Sequence, residues 1–139
     1  MINQILLIST AYLIGSLSFG IIISKLLNLS DPRTIGSGNP GATNVMRTGS
    51  KIAAILTLIG DIFKAVFVVK IAILINLSEL DLMLVSLAVL IGHTYPIYYN
   101  FKGGKGVATA LGILLVSNWI LALSVIFVWL IIFSIWRYS

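Results

Sequence analysis

From Trp119 to Trp136 the chain runs eighteen residues without a charged side chain. A bilayer core is about 30 Å thick and takes about 20 apolar residues to cross. Every backbone polar group there must be satisfied within the protein, so such a run is a helix. Similar stretches lie at Ile5–Leu27, Ile52–Ile75 and Leu82–Tyr99. Val107–Ser117 is short for a span and is expected to gain length by starting at about Lys102. The pattern predicts an all-α polytopic membrane bundle of about five transmembrane helices, with residues 1–139 forming one membrane domain. Charged residues make up 9% of the chain and hydrophobic ones 59%. A soluble domain would be about 25% charged, so a water-facing surface is excluded.

The net charge of +5 is spread over nine cations. They form no basic face, which argues against nucleic acid. Lys25, Arg33, Arg47, Lys51, Lys102, Lys105 and Arg137 fall on one side if the spans alternate, and Glu79 and Asp81 fall on the other. The positive-inside rule then puts the N-terminus outside and two glycine-rich loops in the cytoplasm. The N-terminus lacks a basic region and a cleavage site, and reads as a retained helix. With no cysteine and one histidine, no metal set is expected, and no cofactor is called for.

Two polar islands interrupt the apolar chain. The first is Gly36-Ser-Gly-Asn-Pro-Gly-Ala-Thr-Asn-Val-Met-Arg47 and the second is Phe101-Lys-Gly-Gly-Lys-Gly-Val-Ala-Thr109. Glycines let a backbone approach a ligand, and successive N–H groups make an anion-binding concavity. Gly36-x-Gly38-x-x-Gly41 matches a dinucleotide fingerprint, but a membrane span precedes it where a strand is required. Gly103-Gly104-Lys105-Gly106 lacks the spacing of a phosphate loop. What remains is a dense anion site made from Ser37, Asn39, Thr43, Asn44 and Arg47, with Lys102 and Lys105 beside glycines. Asp61 and Lys64 stand at i, i+3 within the second span. Charge there costs a few kcal/mol per group, so they read as a structural ion pair facing the bundle. His93, three residues before Pro96, reads either as a structural hydrogen bonder or as a base.

Both islands, with Gly92-His-Thr-Tyr-Pro96 and Asp61-x-x-Lys64, resemble the signatures of the bacterial acyl-phosphate:glycerol-3-phosphate acyltransferases, the PlsY family. The resemblance implies a multi-pass inner-membrane enzyme of phospholipid synthesis. It would move a fatty acyl group from acyl phosphate to the 1-hydroxyl of sn-glycerol 3-phosphate, releasing lysophosphatidic acid and phosphate. Its partners would be those two substrates and membrane lipid; protein partners are not implied. Ser37, Gly38, Asn39, Gly41, Thr43 and Asn44 are then expected to cradle the acyl-phosphate head group. Lys102, Gly103 and Gly104 would add substrate contacts, and Arg47 and Lys105 would hold phosphate oxygens. The hydroxyl proton would go to His93 or to the departing phosphate. The family has seven spans and a third signature rich in His, Arg, Asn and Glu; this sequence ends at Ser139 without it. A shortened, inactive remnant, a small anion or phosphate-ester transporter, and a structural subunit are the rival readings.

Overall fold

The computed structural model describes residues 2–136, and all regular structure among them is helical. Arg137, counted above with the cations of the last span, lies outside the described residues. The expected first span is broken. Helix α1 covers Ile2–Gly15 and α2 covers Phe19–Leu26, bent by 45°. The cause is local: Ser16 Oγ turns back to donate to Tyr12 O at 2.9 Å, and Ser18 restarts the chain as the N-cap of α2. Serine back-bonding competes with the helix ladder and bends it.

Two short elements follow in the first loop, a 3-10 turn at Pro32–Thr34 and α3 at Ala42–Val45. Helix α4, Lys51–Leu74, starts where Ser50 Oγ accepts from Ala53 N–H at 3.1 Å. Helix α5, Glu79–Thr94, starts three residues before the expected Leu82. Ser78 Oγ accepts there from Asp81 N–H, and Glu79 and Asp81 suit the positive end of the helix dipole.

Helix α6 covers Val107–Ser117 and does not begin at Lys102 as expected, because residues 102–106 leave the helical path and Gly106 has φ +82°. Its 11 residues reach about 16 Å, roughly half the hydrocarbon core. Helix α7, Trp119–Trp136, is exposed along nearly all its length and among the described residues buries only Ala122. Three helices are long and apolar enough to cross a bilayer, or four with α1–α2 taken as one bent span; α6 falls short of the fifth.

The bundle packs α1 on α5 and α4 on α6 around small residues: Ala11, Ala65, Ala72, Val85, Ala88 and Val89. At the α1–α5 contact Gly92 lies so close to Tyr12 O that a Cβ would overlap it. Such small residues let membrane helices approach where no hydrophobic effect drives them together. Thr109 Oγ1, in the first turn of α6, donates to Asp61 O of α4 at 3.4 Å. Asp61 lies about 15 Å along α4 from Lys51. Thr109, in the first turn of α6, therefore sits inside the bundle.

Candidate active site

At the centre of the bundle the α1–α2 break leaves carbonyls that no helix uses. Lys64 reaches across from α4 and donates to Gly15 O at 2.8 Å and Leu17 O at 2.6 Å. The same ammonium stands 2.9 Å from Asp61 Oδ1 and 2.9 Å from His93 Nδ1. His93 Nδ1 is 3.4 Å from Asp61 Oδ1. All three side chains are buried. The expected Asp61–Lys64 pair thus forms, and it includes His93 and a broken helix that the i, i+3 spacing did not reveal. A buried ammonium is costly unless paired and hydrogen-bonded; the two carbonyls and the carboxylate provide this.

The first island is folded around Asn44, which is buried at the back of it. Asn44 Nδ2 donates to Pro32 O at 2.6 Å and Ile35 O at 3.1 Å, and its Oδ1 accepts from Ser37 N–H at 3.1 Å. Asn39 Oδ1 accepts from Gly41 N–H at 2.9 Å, closing a local turn. Gly36, at φ +53°, lies beneath Arg47 and against Asn44 Oδ1, where a Cβ would meet both. Only glycine takes that conformation without strain and leaves that space. Ser37, Gly38, Thr43 and Arg47 are exposed. Asn44, expected in the phosphate cradle, instead spends its amide on the loop backbone and fixes the shape of the cradle. Thr43 and Arg47 do not share a regular helix, because α3 passes into a 3-10 turn at Met46–Thr48.

The second island is held by α5. Gly104 N–H donates to His93 O at 3.1 Å, capping a carbonyl of the last helical turn that would otherwise be orphaned. Gly104 also lies against the His93 imidazole; a Cβ there would overlap Nε2, and one on Gly103 would overlap His93 O. Before them, Asn100 and Phe101 are both left-handed, at φ 53° and 59°. That costs about 1–2 kcal/mol for Phe101. It returns Lys102 toward the first island, with Lys102 and Lys105 exposed.

The two islands share a cleft of about 290 Å³ lined by Asp31, Arg33, Thr34, Gly38, Tyr99, Asn100 and Lys102. The Arg33 guanidinium lies 5.7 Å from the centre of the Tyr99 ring, within cation–π range. It also pairs with Asp31, Nη2 to Oδ2 at 2.7 Å. That bond holds the Asp31 carboxyl below the usual carboxylate range. Sequence reasoning missed Asp31, Arg33 and Tyr99 as site residues. Asp31 before Pro32 marks a capped turn, which was the available signal. The described residues contain no cluster of His, Cys, Asp and Glu able to hold a metal ion.

A model of the glycerol-3-phosphate acyltransferase family matches residues 5–139. The chain belongs to this family. A glycerol-3-phosphate acyltransferase of Methylobacillus flagellatus is 50% identical over 137 residues, covering 99% of this chain and 70% of the relative. One from Cupriavidus necator is 56% identical over 133 residues, covering 93% and 66%. One from Paraburkholderia phytofirmans is 54% identical, covering 93% and 62%. The chain thus spans about two thirds of the length of these relatives. The crystal structure of PlsY (YgiH), an integral membrane glycerol 3-phosphate acyltransferase, in its glycerol 3-phosphate form superposes with a TM-score of 0.91 at 42% identity. It covers 98% of this chain and 68% of that one. The lysophosphatidic acid form gives 0.85 at 40% identity, covering 94% and 65%. The chain is an integral membrane protein of an acyltransferase family.

Proposed function

We propose that this chain carries the phosphate-binding half of an acyltransferase that moves a fatty acyl group from acyl phosphate to sn-glycerol 3-phosphate. The observation that carries the reading is the cleft in which Arg33 and Gly38 of the first loop face Tyr99 and Lys102 of the second. It suits a substrate with a phosphate at one end and an acyl chain lying in lipid. The 1-hydroxyl oxygen attacks the carbonyl carbon of the mixed anhydride, and the bond from that carbon to the phosphate oxygen breaks. Phosphate leaves, the ester of lysophosphatidic acid forms, and the departing phosphate takes the hydroxyl proton. Acyl phosphate is already activated, so no covalent enzyme intermediate is needed. Positioning and charge neutralisation supply the rate.

In this reading Ser37, Gly38, Asn39, Gly41 and Thr43 cradle the acyl phosphate, with Asn44 setting their shape. Arg47 grips phosphate oxygens in pairs, and Lys105 acts as a movable point charge. Lys102, Gly103 and Gly104 line the approach. The islands face the cytoplasm of a bacterial cell, with the N-terminus outside its inner membrane. Support comes from the cation-rich loops meeting at one end of the bundle, while Gln4 Nε2 donates to Asp81 at the other. The test is conversion of palmitoyl phosphate and glycerol 3-phosphate to lysophosphatidic acid and phosphate by the chain in lipid, alone and joined to the remaining third of a relative. Arg47→Ala should abolish transfer. Unchanged transfer in that variant, or silence of both forms, would refute the reading.

A further inference from the structure

His93 is the single histidine of the chain, and its ring separates the buried ammonium from the second island. Lys64 Nζ has four neighbours within 2.9 Å and three protons to give. Two go to the carbonyls of Gly15 and Leu17, which can only accept. His93 Nδ1 lies in hydrogen-bonding geometry to the ammonium. Asp61 Oδ1 stands at the same distance and shares the third proton with the ring. An ammonium has no lone pair, so a ring nitrogen 2.9 Å from it can only accept. A ring nitrogen that accepts carries no proton, so a neutral imidazole held this way has its proton on Nε2. Nε2 is the atom that lies on Gly104.

We propose that Lys64 locks His93 in the Nε2–H tautomer, making His93 a buttress of the second island and not the base that takes the substrate's proton. Nδ1 points into the bundle at Lys64, and the Nε2 side of the ring lies against Gly104. Lys64 acts through His93 and is a positioning residue for Gly103, Gly104 and Lys105. The chain of support runs from the α1–α2 break through one ammonium and one ring to the island.

The tautomer stands independently of acyl transfer; only the exclusion of His93 as base rests on the proposed reaction. The 139-residue chain, labelled with ¹⁵N at histidine and at lysine Nζ in lipid nanodiscs, tests it by NMR. The expected spectrum has a protonated Nε2, an unprotonated Nδ1, and a nitrogen–nitrogen correlation from Nδ1 to one lysine. A proton on Nδ1, or on both nitrogens, would overturn the proposal. Lys64→Met should collapse the signature to exchange-averaged tautomers; a spectrum identical to wild type would sink the role of Lys64. If that variant does not fold, absence of the correlation in wild type serves the same end. His93→Gln should slow turnover through the displaced island, as Gly104→Ala does, and leave the shape of the pH–rate profile unchanged, whereas losing a true base removes a limb of that profile. Loss of that limb in His93→Gln would restore His93 as base. The signature without acyl transfer in any form would refute the reaction and leave the tautomer standing.

Discussion

The two glycine-rich islands look alike in sequence, but different physics holds each in place. The first is tied to itself. Asn44 gathers Pro32, Ile35 and Ser37 through three hydrogen bonds, and the loop so shaped rests on the helices through Pro40 against Gly20 and the buried Val45. The second has no such knot. It lies against the end of α5, bonded at Gly104 to the His93 carbonyl and pressed on a ring that Lys64 holds from beneath. A loop whose hydrogen bonds close on itself keeps them when a side chain in the bundle changes. A loop that borrows its scaffold inherits every disturbance there.

The largest test removes the borrowed scaffold. Asp61→Asn leaves the Lys64 ammonium buried without its counter-charge, and breaking a buried pair this way costs about 3–5 kcal/mol. The midpoint of thermal unfolding in detergent should fall accordingly; an unshifted midpoint would mean that the carbonyls of Gly15 and Leu17 suffice. Next comes the first island's own knot. Asn44→Ala removes three hydrogen bonds at about 1 kcal/mol each, so about 3 kcal/mol is expected. Proteolysis should then rise between Pro32 and Arg47 while the His93 spectrum stays as it was. If that spectrum moves too, the islands are coupled and the contrast between them fails.

Gly104→Ala sharpens the contrast on the other side. The added methyl overlaps the imidazole, and a displacement of about 1 Å at a reacting group costs on the order of 100-fold. Transfer rates should fall by that factor with the first island's protease resistance unchanged. Equal loss of resistance in both loops would show a general unfolding instead. The smallest effect is at Asp31. Its carboxyl is held below its usual range by hydrogen bonding from the Arg33 side chain. Its contribution is therefore present above the unfolded value of about 3.9 and fades as pH falls through the lower folded value. Asp31→Asn should erase that acid-side dependence and change stability at neutral pH by under about 1 kcal/mol, read from melting midpoints between pH 3 and 7.

Hydropathy read α4 to within a residue at each end, and α7 in full, because lipid-facing composition is a local property. It could not read the break between Gly15 and Phe19. The serines there look like ordinary small residues of a span, and the partner for their freed carbonyls comes from Lys64, far along the chain. The start of α6 was misjudged for a related reason. Gly103, Gly104 and Gly106 pack against the end of α5, and no periodicity within five residues encodes that. Asp61 and Lys64 were legible as a pair because one helical turn separates them; His93 comes from another helix. Asn44 was legible as a polar residue of the site but not as its scaffold, since an amide that binds phosphate and one that binds backbone have the same sequence signature.

The ammonium that closes the α1–α2 break also sets an order of assembly. Ribosomes deliver the N-terminus first, so α1 and α2 reach the membrane while the carbonyls of Gly15 and Leu17 have no partner. Their donor lies 49 and 47 residues downstream. Free carbonyls are poorly tolerated in hydrocarbon. The first, bent span therefore becomes fully compatible with lipid only when α4 arrives beside it, and the smallest unit that can leave the insertion machinery with its polar backbone satisfied is the segment from α1 through α4.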